Sequence, residues 1–373
     1  MMRKLASALV LTALSTLFGP ASPQAQDANL SPPKPITLDE TRRLMDKVVD
    51  EVIRPGYRSF STSSSRLTDA MRQLCAEPSA ETLAAGRAAF EAAALDWGHI
   101  EIVRIGPVIE DNRFERVLFY PDRKSTGLRQ VQGLLTTPDE DATSPVQLAR
   151  KSVAMQGLGA LEFVLHGTGS DALVDEVDGF RCRYGLAVAG SIQRVATELS
   201  QIWDDPAGIQ KDWKEPGADS RVFRTPGEAV TAVLGLLVHS AEAARDQRIE
   251  TFYKGEDNST FPKQALFWRS GLTFKMLAAN LEGIRTLLDR SEIRDLLNDD
   301  QQSIVASIQF VLRSLIRVAR DMEPDVEVAV SDPLQRQKLD FLLLNSRDLI
   351  LRLNDQLGSG LGLGAGFSFS DGD

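Results

Sequence analysis

Four places in this chain carry the chemistry that starts an α-helix, and their spacing constrains the fold more than any other feature. At such a start a side-chain oxygen accepts from an early backbone N–H, and a Glu or Gln three residues on reaches back. Thr37 with Glu40, Ser144 with Gln147, Thr225 with Glu228 and Asp332 with Gln335 have this spacing. In the last three a Pro stands at the first helical position, where its missing N–H costs nothing. Beyond the starts, apolar residues recur at helical spacing, as at Ile304, Ile308, Val311, Leu315 and Val318, with Gln309, Arg313 and Arg320 turned outward. Comparable stretches run 38–74 with a kink at Pro55, 80–104, 146–165, 181–203, 228–244, 262–288 and 334–357. Eight helices predict an all-α fold of two four-helix-bundle-like halves packed against each other.

The halves are expected at 30–205 and 225–357. A segment at 206–224, rich in Asp, Pro, Gly and Lys, links them, and a Gly-rich tail at 358–373 follows. The stretch 110–141 reads as irregular, with a short strand at 117–120. Composition agrees with helices, because 6% aromatic residues and two Cys in 373 residues suit neither an aromatic-rich sandwich nor a disulfide scaffold. With 52 acidic residues against 42 basic ones the net charge is −10. That sign argues against a partner held through phosphates, whether nucleic acid or an anionic membrane face.

Residues 1–25 read as a secretory signal peptide. Arg3 and Lys4 precede an apolar run from Leu5 to Phe18, and Gly19 and Pro20 stop it before small residues ending near Ala25. The run is about 14 residues, short of the ~20 that span a bilayer. The reading predicts a periplasmic or cell-envelope protein with no membrane span in the mature chain. Outside the cytosol an even pair of cysteines is more often a bridge than two thiols, so Cys75 and Cys182 are expected to pair. The loop closed, about 100 residues, would contribute about 4–5 kcal/mol in the chain-entropy treatment. Two separate buried thiols are the alternative.

Polar residues in apolar surroundings mark the candidate site. Glu162 lies in VAMQGLGALEFVL (Val153 to Leu165), apolar almost all round a helix, where a carboxylate needs a partner or a metal. Gly157 and Gly159, one turn earlier, thin the helix so that a backbone or a ligand can approach. Glu101 and Arg104 continue the stripe of Phe90, Ala93, Trp97 and Ile100, either as core-edge site residues or as a plain i, i+3 ion pair. Arg269, Thr273 and Asn280 are expected along one side of a helix that also carries Trp268, as pocket donors or as a solvated face. The three histidines are His99, His166 and His239. Asp96 with His99 and Glu162 with His166 each offer two metal ligands on one helix face, whereas His239 in VLGLLVHSA reads as a core residue. No HExxH, phosphate loop, serine-hydrolase elbow or CxxCH occurs.

RAAFEAAALDWGHIEIVRIGP (Arg87 to Pro107), GLGALEFVLHG (Gly157 to Gly167), RCRYGLA (Arg181 to Ala187), FWRSGLTFKMLAANLEGI (Phe267 to Ile284) and AGFSFSDGD (Ala365 to Asp373) occur in that order behind the signal. Together they resemble the imelysin-like proteins of bacterial envelopes, over almost the whole mature chain. The resemblance implies two helical-bundle halves with a functional site in the groove between them. It also implies either metallopeptidase activity or, as in many members, a non-proteolytic role in iron acquisition. The family signature GxHxxE falls on Gly157, Gly159 and Glu162, so Gly159 stands where an expected metal-binding His would be. Trp97, Arg104, Trp268 and Arg269 match the family's Trp and Arg positions.

The expectation is therefore a non-catalytic envelope protein serving iron uptake or homeostasis, with iron-uptake proteins of the envelope as partners. Glu101, Arg104, Gly157, Gly159, Trp268, Arg269 and Asn280 would hold a ligand. Glu162, His166 and His99 would hold iron or another divalent metal. Two alternatives stand beside it: a metallopeptidase in which His166 or His99 replaces the missing ligand, and an interaction module that binds an envelope protein through its acidic surface and its tail.

Overall fold

Thr37 opens the first helix as its spacing predicts: its hydroxyl accepts from the Glu40 N–H, and the Glu40 carboxylate accepts from the Thr37 N–H. The computed structural model describes residues 31–255 and 258–364, so the signal peptide and the tail from residue 365 lie outside the described residues. Helix α1 (Leu38–Lys47) passes through a wider π-helical turn, Val48–Ile53, into α2 (Arg54–Ala76). Pro55 sits in the first turn of α2, where it breaks no hydrogen bond within that helix. Helices α3 (Ala80–Ile100), α4 (Gly157–His166) and α5 (Phe180–Asp204) complete the first half. The second half holds α6 (Pro226–Asp246), α7 (Thr273–Arg290), α8 (Ser303–Arg320) and α9 (Pro333–Leu351).

In the first half α2 lies between α3 and α5, and α4 covers the pair; in the second, α7 packs on α6 and α8, and α9 closes against both. The halves meet where α3 crosses α7. Glycine makes that crossing, since a Cβ on Gly283 would collide with the His99 carbonyl oxygen, and one on Gly98 would press on Ala279 and Met276. Buried residues form one cluster through both halves, from Phe60, Phe90 and Trp97 across Met276 and Ile284 to Leu312 and Leu339. A disulfide joins Cys75 at the end of α2 to Cys182 at the start of α5, with Cα atoms 5.5 Å apart and 107 positions of sequence between them. Among the described residues no helix is long and apolar enough to cross a membrane.

Several boundaries differ from the sequence reading, each for a local reason. The stretch 146–165 is not one helix, because Gly157 at φ +77° breaks the path and α4 begins there. A Cβ on Gly157 would strike the carbonyl oxygens of Arg116 and Val117, so the close backbone approach expected at this glycine is real. The helix expected from 262 starts only at Thr273, since Phe267 at φ 56° and Gly271 at φ 69° both lie in the left-handed region. The expected strand at 117–120 is corrected. Val117 ends a short helix, Arg113–Val117, and no strand occurs among the described residues. Within 206–224 the chain forms a further short helix, Ile209–Lys214, and its buried Trp213 stacks edge-on against Trp203 and Phe223.

Candidate functional site

Two adjoining cavities lie along the junction of the halves, and the candidate residues divide between them. The smaller, about 120 Å³, is lined by Gly159, Glu162, Trp268 and Arg269 among others. Glu162 reaches it from α4, whose last carbonyls are held in place by guanidinium groups. Arg181 donates to the Phe163 and Val164 carbonyls, and Arg87 donates to the Leu165 carbonyl. The left-handed turn at Phe267 then aims two backbone N–H groups at the carboxylate. Glu162 Oε1 accepts from the Arg269 N–H at 3.0 Å, the Ser270 N–H at 3.0 Å and the Ser270 hydroxyl at 3.1 Å. Its Oε2 faces Arg269 Nη1 at 3.7 Å. The Arg269 guanidinium also lies over the Trp268 ring at 4.4 Å and the Phe163 ring at 5.3 Å. Burial pushes the Glu162 carboxyl above its ordinary range, with Arg269 and the Ser270 donors pulling the other way.

These residues do not fit a metal ion. One Glu162 oxygen is fully used by three donors, and the other looks at a cation. Gly159 is exposed, supplies no ligand, and has nothing within 4 Å of where its Cβ would stand. His166 lies against Phe90 with its pKa lowered to about 4, by burial first and by Arg87 second. His99 sits at the α3–α7 crossing, bonded to the Leu95 carbonyl at 2.8 Å and to Glu282 at 3.0 Å, and its pKa is raised chiefly by Glu282. Among the described residues no group of three or more His, Cys, Asp or Glu could hold a metal ion.

The larger cavity, about 1420 Å³, is an open cleft between the first half's segment 101–126 and the second half's α6 with the turn that follows it. Glu101, at the C-terminal cap of α3, and Asn280, from α7, meet on its floor with Arg248. Arg248 Nη2 donates to Glu101 Oε1 at 2.6 Å, and Arg248 Nε donates to Asn280 Oδ1 at 3.1 Å. The Asn280 amide donates to the same Glu101 oxygen at 2.6 Å and to the Gly98 carbonyl at 2.8 Å. Glu101 is 8% exposed and Arg248 5%. Glu101 Oε2 and Arg248 Nη1 nevertheless find no partner, and each such buried orphan costs about 1–3 kcal/mol. Arg248 lies 5.1 Å from the centre of the Tyr120 ring, whose hydroxyl donates to the Gln264 carbonyl. Glu101 and Arg104 are not i, i+3 neighbours within a helix. α3 ends at Ile100, and the Arg104 guanidinium lies 4.2 Å from the centre of the Phe114 ring. Burial lowers its pKa while Glu101 and Glu115 oppose the shift.

Glu101, Arg104 and Asn280 thus share the cleft, and Glu162, Trp268 and Arg269 share the small cavity beside it. Trp268 and Arg269 precede α7, so they do not lie on one helix side with Asn280 as the sequence suggested. His239 is half-buried and also lines the cleft, paired with Glu242 at 3.0 Å. Arg248 and Ser270 went unread. Arg248 follows the end of α6 in AARDQRIE, a run whose charge density reads as solvated, and Ser270 owes its role to the turn at Phe267.

The imelysin family model, peptidase M75, matches residues 53–353. Among solved structures the chain is similar to an imelysin-like protein from Psychrobacter arcticum 273-4, at 19% identity and TM-score 0.73, over 89% of this chain and 99% of that one. It is similar as well to a putative iron-regulated protein A precursor from Parabacteroides distasonis ATCC 8503, at 13% identity and TM-score 0.71, over 89% and 98%. No curated protein matches.

Proposed function

Since this chain belongs to the imelysin family, we propose that it is a non-catalytic protein of the bacterial cell envelope, exported by its N-terminal segment, that serves iron acquisition by binding. The cleft between the halves is its ligand site. One observation carries this reading: a cleft of about 1420 Å³ opens at the junction of the halves, over a floor on which Glu101, Arg248 and Asn280 bond one another. Iron in this reading is cargo that arrives with its carrier, and iron-uptake proteins of the envelope are the partners that deliver or receive it. The iron-regulated name of one structural relative supports the assignment to iron.

Two measurements together test it. Loss of the gene should slow growth under iron limitation, and the purified chain should leave a protein substrate uncut with or without chelator. Chelator-sensitive cleavage that disappears in His166→Ala would overturn the reading in favour of a metallopeptidase.

A further inference from the structure

The α3–α7 crossing is held on two sides. Towards the cleft, Asn280 donates to Glu101 and to the Gly98 carbonyl. Two residues from those floor positions on each helix, His99 meets Glu282, and two residues turn an α-helix by about 200°, to the far side of the crossing. His99 Nδ1 lies 2.8 Å from the Leu95 carbonyl oxygen, and Nε2 lies 3.0 Å from Glu282 Oε2. A carbonyl and a carboxylate only accept, so both ring nitrogens carry hydrogen and the ring is an imidazolium. That state leaves no ring lone pair for a metal. Glu282 is itself held ionised, with its other oxygen in ion-pair contact with Arg320 at the end of α8. Burial works against that charge, but His99 and Arg320 outweigh it and keep the Glu282 carboxyl below its usual range. The other charged groups that act on the pair are Asp96 on α3 and Arg285 on α7.

We infer that His99, Glu282 and Arg320 form a proton-dependent latch between the halves, which grips the crossing while the ring is an imidazolium and slackens when it loses its proton, so that pH governs how firmly the cleft floor is held. As regulation of the cleft, the inference rests on the binding role proposed above; the latch itself needs no ligand. Loss of the Nε2 proton sets a ring lone pair against the Glu282 carboxylate and turns attraction into repulsion. The last turn of α3 suits the cation as well, because a helix presents the negative end of its dipole there. With 41% of its side chain exposed, His99 exchanges protons with solvent, while Glu282 at 13% is shielded enough for its charge to count. The helices touch through Gly98 and Gly283, so a slackened latch is felt at Asn280 and Glu101 rather than absorbed by intervening side chains. Glu282 raises the His99 pKa against burial, and the Leu95 carbonyl and Asp96 add to it. Below the ordinary value of 6.5 the folded and unfolded chains both hold the proton and the latch is whole; it is lost as pH rises through the higher folded value. His166 acts in the opposite sense and below 6.5, so the two histidines mark separate parts of a pH profile.

Two measurements on the purified chain test this, and since neither uses a ligand, their outcome is independent of whether the cleft binds one. In an NMR titration of the three histidines, the His99 signal, assigned by its absence in His99→Gln, should titrate with a midpoint above 6.5, and Glu282→Gln should lower that midpoint. In amide hydrogen exchange, protection factors remove the intrinsic dependence of exchange on pH. For the amides of 99–101 and 280–283 they should be about fivefold lower at pH 9 than at pH 6, the scale of an ion pair at a helix end. His99→Gln keeps a donor for Glu282 that does not titrate, so its protection there should be the same at both pH values. A His99 midpoint at or below 6.5 overturns the inference. So does equal protection at the two pH values in the native chain, or a fall in protection that His99→Gln retains.

Discussion

Each carboxylate that this fold takes out of water needs compensation, and Glu162 and Glu101 receive it differently. Glu162 receives three hydrogen bonds on one oxygen and faces a guanidinium with the other, which ties the turn at 267–271 to α4. Its replacement by Gln keeps the shape, removes the charge and leaves Arg269 without its counter-ion. We expect Glu162→Gln to cost about 1–3 kcal/mol in urea unfolding, and an unchanged midpoint would remove Glu162 from that role. His166 gives a pH signature. Its folded pKa, about 4, lies below the ordinary value of 6.5. The unfolded chain therefore binds the extra proton first. The contribution is complete above pH 6.5 and is lost as pH falls from there towards 4. The melting temperature of the native chain should drop between pH 7 and 4.5 by more than that of His166→Gln, and equal drops would contradict the shift. Glu162 was legible in the sequence because it interrupts an apolar run, whereas its partner Ser270 was not, because the turn that presents it comes from the left-handed backbone at Phe267.

At the scale of elements, caps specified helix starts better than periodicity specified helix lengths. Thr37, Thr225 and Asp332 each accept from an early N–H, but only at Thr37 does the residue three on reach back to the cap, since Glu228 takes the Arg224 N–H and Gln335 the Glu323 N–H; Ser144 starts only a four-residue helix and makes no side-chain cap. The Ser79 cap escaped notice because Thr82 takes the place of the usual Glu. Helix lengths failed at Gly157, Phe267 and Gly271, where φ is positive and apolar spacing gives no warning. The α3–α7 crossing depends on such a local feature. An exposed helical glycine changed to alanine gains up to about 1 kcal/mol in propensity. Gly283→Ala should instead destabilise by about 1–3 kcal/mol, since the new Cβ meets the His99 carbonyl. Gly159→Ala, with open space around its Cβ, should be neutral or stabilising. Equal thermal shifts in the two variants would mean that the crossing is not close-packed.

Over the whole molecule the two-bundle organisation was readable from helix count and apolar spacing, but the continuity of the core was not. A single buried cluster runs through both halves, so the cleft walls are held by the same packing that holds the protein together. The floor of that cleft was only partly legible. Glu101 and Asn280 stood out against apolar stripes, whereas Arg248 becomes a floor residue only when the chain after α6 folds back over Glu101. The disulfide secures the first half from the far side. Reducing it, or making Cys75→Ala with Cys182→Ala, should lower unfolding free energy by about 2–5 kcal/mol without moving the cleft residues. A urea midpoint insensitive to reductant would contradict that. In the proposed role the cleft binds an organic ligand, and Glu162 belongs to structure. Native mass spectrometry of the protein isolated from its own envelope tests it most directly. An organic adduct is expected, with any iron present only alongside it, retained in Glu162→Gln and lost in Arg248→Gln. A bare metal adduct that survives Arg248→Gln and disappears in Glu162→Gln would contradict it.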